Sequence, residues 1–226
     1  LSLLFFSLSV NFSAQAHDNF ISVIAKSKPS IFVIQTKTKK TFFKTSGERE
    51  REKILGPYVD FYNDGLTSMP SIRLGTGFVV ASSPSDSWIL TAAHVIKKAS
   101  EITIKLTDGS GLKAEVVILD AVSDVALLKV NYGNLPVLKL SSSELVEGQA
   151  VIGIGAAFGL PLSSSLGIVS AINVPLKRSS LGLIQTDVSV NPGSSGGPLI
   201  DGNGKVIGLT TKIYSNTGTF SGLSFA

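Results

Sequence analysis

A chain of 226 residues, 43% hydrophobic and 16% charged, is long enough for one large domain or two compact lobes, and its many scattered glycines lean toward β structure. The net charge of +4 is a mild bias, much of it in the stretch Lys37 to Lys53, and gives little reason to expect a nucleic-acid partner. With no cysteine and two histidines, the composition excludes disulfides, Cys-based metal sites and a cysteine nucleophile, argues against a multi-histidine site, and leaves no metal or cofactor expected.

Leu1 to Val10 is an apolar run, followed by Asn11-Phe12-Ser13-Ala14-Gln15-Ala16. Ala14-x-Ala16 is the small-residue pattern a signal peptidase prefers, so residues 1–16 read as a signal-peptide remnant cleaved before His17. The run is too short for a stable membrane span. The competing reading is a hydrophobic first strand or helix. Export of a cysteine-free chain points to a bacterial periplasm.

Asn19 to Lys28 is apolar at near-helical spacing and meets Pro29, which predicts a short helix. Ser30 to Thr36 reads as a strand. The segment from 37 to 71 has no sustained apolar period and is too long for an ordinary connection, so it is either a functional loop or a mobile insertion. Its charge run, Gly47 to Lys53, reads as solvated surface; Phe42, Phe43, Tyr58, Phe61 and Tyr62 are the sharper alternative, as contact points.

From Leu74 onward short β segments alternate with turn signals. Gly75 to Val80 and Trp88 to Thr91 flank a Ser/Pro/Asp turn. Ile102 to Leu106 and Leu112 to Leu119 flank Asp108-Gly109, a hairpin signal. Val125 to Val130 closes the first half, and Asn131 to Pro136 marks a boundary between a lobe of about 30–131 and one of about 136–226. Ala150 to Gly155, Leu166 to Ile172, Leu183 to Val188, Gly197 to Ile200 and Lys205 to Thr210 read as further strands, with a turn at Gly202-Asn203-Gly204. This rhythm predicts an all-β fold of sandwich or barrel type. Gly153 to Gly159 superficially resembles a nucleotide loop, but its third glycine falls one position late and no helix pattern follows, so it reads as a β turn.

The chemistry concentrates in Asn191-Pro192-Gly193-Ser194-Ser195-Gly196-Gly197-Pro198-Leu199. A serine hydroxyl is a poor nucleophile at neutral pH and needs a base, which in turn needs a partner that fixes its tautomer. His94 in Thr91-Ala92-Ala93-His94-Val95 and Asp124 before Val125 to Leu128 supply both, in the order His, Asp, Ser. The backbone N–H groups of Gly193 and Ser195 are the expected oxyanion hole. Taken singly, each residue has a bland reading: a structural histidine, a turn aspartate, a Gly/Ser loop. Their joint occurrence in matching local contexts outweighs it.

These motifs, with Asp124 to Val130, Gly167-Ile168-Val169-Ser170-Ala171 and Gln185-Thr186-Asp187, closely resemble the HtrA/DegP family of periplasmic serine endoproteases. The resemblance covers Asn19 to Ala226 and is densest between Leu74 and Leu209. It implies a serine protease domain over 17–226 built as two six-stranded antiparallel β-barrels after a short N-terminal helix, with the triad in the cleft between them. It also implies ATP-independent degradation of unfolded envelope proteins, often with chaperone-like behaviour, in trimers or their multiples. Ser194 stands where the family usually has asparagine. The PDZ domains usual in the family are absent from the sequence, which stops near the end of the protease domain.

Substrate contacts are expected from Val190, Gly193, Ser194 and the segment Thr211, Lys212, Ile213, Tyr214 and Ser215, which matches the family's substrate-binding loop. Ser189 stands where a site preferring basic residues carries an aspartate. Val190 and Ile213 as an apolar wall predict cleavage after Val, Ile or Ala. A reading from another class, a chaperone or binding module with a dormant protease site, shares all these residues.

Overall fold

The computed structural model describes residues 19–38, 71–175, 182–213 and 222–226. The apolar N-terminal run, the charge run, the aromatic residues between Phe42 and Tyr62, Tyr214 and Ser215 lie outside them. The expected helix (α1) spans residues 19–27. Phe20, Val23 and Ile24 face the protein interior at helical spacing. The helix gives way to a 3-10 turn, Lys28–Ser30, because Pro29 lacks an N–H and disfavours helical backbone at the residue before it.

The first lobe is a closed barrel of six antiparallel strands: β1 (Ile31–Thr38), β2 (Ser71–Ser82), β3 (Ser87–Ala92), β4 (Glu101–Lys105), β5 (Gly111–Asp120) and β6 (Val125–Val130). Around the barrel the order is β1-β2-β3-β6-β5-β4. The segment expected as a loop over 37–71 is shorter at both ends, since Lys37 and Thr38 continue β1 and Ser71 opens β2, paired Thr38 with Ser71. Alternation drives closure: in β6, Ala126, Leu128 and Val130 point inward while Val125, Leu127 and Lys129 face out. The inward residues join Ile34, Val79, Ile89 and Ile104 in one core. A one-turn helix, α2 (Ala93–Ile96), follows β3.

The second lobe contains β7 (Ala150–Gly155), β8 (Ser163–Val174), β9 (Leu183–Thr186), β10 (Pro198–Asp201), β11 (Val206–Leu209), β12 (Lys212–Ile213) and β13 (Ser224–Phe225), in the order β11-β10-β7-β8-β9-β13-β12. Seven strands stand where the resemblance implies six, because one strand is broken. β11 and β12 are consecutive, separated only by Thr210 and Thr211, and Thr211 N–H already bonds the carbonyl of Phe225. The sheet's two edges are therefore one curving stretch of chain, and the sheet curls back on itself. Val151, Val169, Val188, Val190 and Leu199 form its core. A third apolar cluster joins the lobes: Ile31 and Phe78 of the barrel pack with Ile152, Ile154, Ile200 and Val206 of the second sheet, beneath α1.

Gly153 to Gly159 is not the expected β turn. Gly153 and Gly155 lie within β7, and the chain leaves it through a 3-10 turn, Ala157–Gly159. A Cβ on Gly153 would meet Val188, and one on Gly155 would meet Ser194, so these glycines let neighbouring chain approach.

Candidate active site

Asp124 occupies the turn between β5 and β6 in a left-handed conformation, φ 59°. Three bonds tie it to α2. Its backbone carbonyl accepts the Ala93 N–H at 2.9 Å, Oδ1 accepts the His94 N–H at 2.9 Å, and Oδ2 lies 2.7 Å from His94 Nδ1. The ring is thus oriented by its own backbone anchor as well as by its side chain. With Nδ1 donating to the carboxylate, Nε2 is the free acceptor. The Asp124 side chain is only 15% exposed and that of His94 45%, so the carboxylate is shielded while the imidazole faces solvent.

Ser195 comes from the second lobe, on the loop between β9 and β10. Its turns are closed by Ser194 N–H to Asn191 carbonyl, 2.9 Å, and Gly197 N–H to Ser194 carbonyl, 3.0 Å. Gly193 has φ 96°, and a Cβ there would lie 2.3 Å from the Ala156 carbonyl oxygen, so glycine is required. Phe158 N–H holds the Pro192 carbonyl at 2.6 Å. A trans peptide points its N–H opposite to its C=O, so this bond turns the Gly193 N–H the other way. Among the described residues, neither the Gly193 nor the Ser195 N–H donates to a protein acceptor.

His94, Gly193 and Ser195 line one cavity of about 160 Å³, with Arg73, Leu74, Val95 and Pro192. The Ser195 hydroxyl donates to the Thr211 carbonyl at 3.4 Å rather than to His94. On the other face of the serine loop lies a second pocket of about 90 Å³, walled by Ile154, Val188 and Val190, with Ser165, Ser189 and Thr210 among its polar lining. Ser194 is buried at this pocket. The Thr211 carbonyl lies against the Ser195 hydroxyl, and β12, which follows it, pairs with β13 on one side only, as the edge of its sheet.

The trypsin-like peptidase domain model matches residues 75–209, which include His94, Asp124 and Ser195. The chain belongs to the trypsin-like peptidase family. Curated relatives of this chain include a probable periplasmic serine endoprotease DegP-like of Halomonas elongata, 40% identical over 94% of this chain and 48% of that protein. Another of the same description, from Pseudomonas fluorescens, is 39% identical over 95% of this chain and 48% of that protein. The chain therefore spans about half the length of these relatives. Among solved structures, the HtrA-type protease AlgW with tripeptide superposes with TM-score 0.73 at 27% identity, over 92% of this chain and 58% of that one. AlgW with decapeptide gives 0.70, over 90% and 62%. The resemblance read from the motifs, and the fold class it implied, are both borne out.

Two residues of the peptidase site carried no chemical signal in the sequence. Thr76 on β2 is fully buried; its hydroxyl donates to the Gly193 carbonyl at 2.7 Å and accepts the Ala156 N–H at 3.0 Å, while its own N–H bonds the Ser195 carbonyl at 2.9 Å. Thr210 shares its hydroxyl proton between the carbonyls of Ser194 and Gly197, at 2.9 and 3.1 Å. Between them they hold the serine loop from both lobes. The only hint was the pattern Gly75-Thr76-Gly77, a hydroxyl set between two glycines inside a strand. Among the described residues there is no cluster of His, Cys, Asp or Glu suited to a metal, and no helix long and apolar enough to cross a membrane.

Proposed function

We propose that this chain is a serine endopeptidase of the periplasm that cuts unfolded polypeptides after aliphatic residues, with Ser195 as nucleophile, His94 as base then acid, and Asp124 as its orienter. The observation that carries the reading is the His94–Asp124 pair at 2.7 Å, opening onto the cavity that Ser195 shares. A staggered rotation about χ1 frees the Ser195 hydroxyl from Thr211 and turns it toward Nε2. Oγ then attacks the scissile carbonyl as Nε2 takes its proton. The N–H groups of Gly193 and Ser195 receive the oxyanion, and Nε2–H protonates the leaving amine. Water hydrolyses the acyl-enzyme by the same steps in reverse order. Val190 and the small, largely apolar pocket behind the serine loop favour Val, Ile or Ala before the cut, and no acid lines that pocket to hold a basic residue. Thr211 to Ile213 align the substrate as an added strand on the open edge of β12.

The names of the relatives support a periplasmic setting; a signal peptide ahead of His17, a role in envelope protein quality control under stress and assembly as trimers belong to the same proposal through the family resemblance, and size measurement on the purified protein tests the last. Ser195→Ala abolishes casein cleavage, a loss on the order of 10⁶ in kcat, while leaving the melting temperature unchanged. If that variant digests casein as fast as the parent, the assignment fails. A second reading, a chaperone or binding module with a dormant site, draws on the Ser195 hydroxyl's bond to Thr211 instead of His94. Fluorophosphonate labelling separates the two: a working site gives a Ser195 adduct within minutes, a dormant one gives none.

A further inference from the structure

Besides its reacting groups, the cavity holding His94, Gly193 and Ser195 contains one cation, Arg73. We infer that Arg73 selects substrates carrying an acidic side chain just after the scissile bond. The inference rests on the proposed peptidase function and deepens it.

Direction follows from the geometry around Ser195. The acyl half of a substrate lies along Thr211 to Ile213, whose first carbonyl receives the Ser195 hydroxyl, and its last side chain enters the pocket of Val188 and Val190. Residues of the serine loop divide the space: Asn191 and Ser194 line that pocket, whereas Pro192, Gly193 and Ser195 line the cavity with Arg73 and Leu74. The leaving half, whose amine His94 protonates, is thereby directed over Leu74 and Arg73. Leu74, Val95 and Pro192 give this cavity apolar walls suited to a side chain's methylenes. Arg73 stands exposed on β2 opposite Thr36 of β1, and among the described residues its guanidinium meets no carboxylate. The other charge near the cavity, Asp124, is already committed to His94. An unpaired guanidinium beside an apolar slot matches a side chain with a short aliphatic stem and a carboxylate, which describes glutamate better than aspartate.

The experiment uses peptides identical except for Glu, Gln or Lys at the first and second positions after the cut, together with an anilide substrate that has no residue there. The unsubstituted enzyme should cleave the Glu peptide about three- to fivefold faster in kcat/KM than the Lys peptide, the size expected of one exposed ion pair. The preference should shrink at high salt. Arg73→Gln should abolish the ratio and Arg73→Glu invert it, each ratio being taken within one variant so that a common change in turnover cancels. Peptides cut at equal rates whatever the charge, or a Glu preference that survives in Arg73→Gln, overturn the role of Arg73 and leave the peptidase reading intact. If no peptide and no anilide is cut and no fluorophosphonate adduct forms, the peptidase reading fails and this inference with it.

Discussion

Thr76 shows how much of the site depends on one buried hydroxyl. It is both donor and acceptor, bridging Gly193 and Ala156, and both it and Ala156 are fully buried. Thr76→Val keeps the shape and removes both bonds. Leaving the buried Ala156 N–H unpaired costs about 1–3 kcal/mol. The Gly193–Ser194 peptide that Thr76 holds lies between the Gly193 and Ser195 N–H groups, so loosening it should disturb both, and activity should fall by at least about tenfold, approaching the 10²–10³ seen when an oxyanion donor is removed. Thr76→Ser, which restores the hydroxyl, should recover most of both. Denaturant unfolding and casein turnover on the three proteins check this; equal turnover in the valine variant would dissociate Thr76 from the oxyanion donors.

At the scale of elements, the turn from β5 to β6 sets the position of Asp124. Asp120 caps it: its carboxylate accepts the N–H of Val122 at 2.8 Å and of Ser123 at 3.3 Å, and the Ser123 hydroxyl. The Ser123 hydroxyl, then the two backbone donors, hold the Asp120 carboxyl below the ordinary carboxylate range. A depressed folded-state pKa contributes stability that is fully present above the unfolded value, roughly pH 4, and is lost as pH falls through the folded value. The melting temperature of Asp120→Ala should therefore lie below that of the parent at pH 7 and converge with it as pH drops below about 4. A gap that stays constant with pH would mean that ionisation of Asp120 plays no part. Hairpins of this kind were legible in the sequence because one face of each strand is apolar and the turns carry Asp and Gly. β8 was read too short, as 166–172, because its first residues, Ser163-Ser164-Ser165, have no apolar signal and join the sheet through backbone pairing with β7. The His94–Asp124 pair and the cavity it shares with Ser195 could be anticipated because the proposed chemistry constrains residue type; the threonines that hold the serine loop could not, since a buried hydroxyl bonded to backbone looks like any other strand threonine.

For the whole molecule, the decisive feature is that the proposed nucleophile and its proposed base come from different lobes. His94 and Asp124 belong to the barrel, Ser195 to the second sheet, so the site exists only while the lobes keep their registry. That registry rests on the shared apolar cluster, in which Phe78 is 1% exposed and packs from the barrel against Ile152, Ile154 and Ile200. Phe78→Ala should cost about 3–5 kcal/mol, the range for a buried phenylalanine. Because the cavity opens between the lobes, the loss should lower activity below the melting transition, unlike an equal loss inside one lobe. Val169→Ala, in the core of the second sheet alone, is the control. Calorimetry with casein turnover at 25 °C reads both: both variants should melt in one cooperative transition, with turnover per folded molecule reduced in Phe78→Ala and retained in Val169→Ala. Two separate transitions in the parent protein would mean that the lobes fold independently and that the cluster between them does not govern the site.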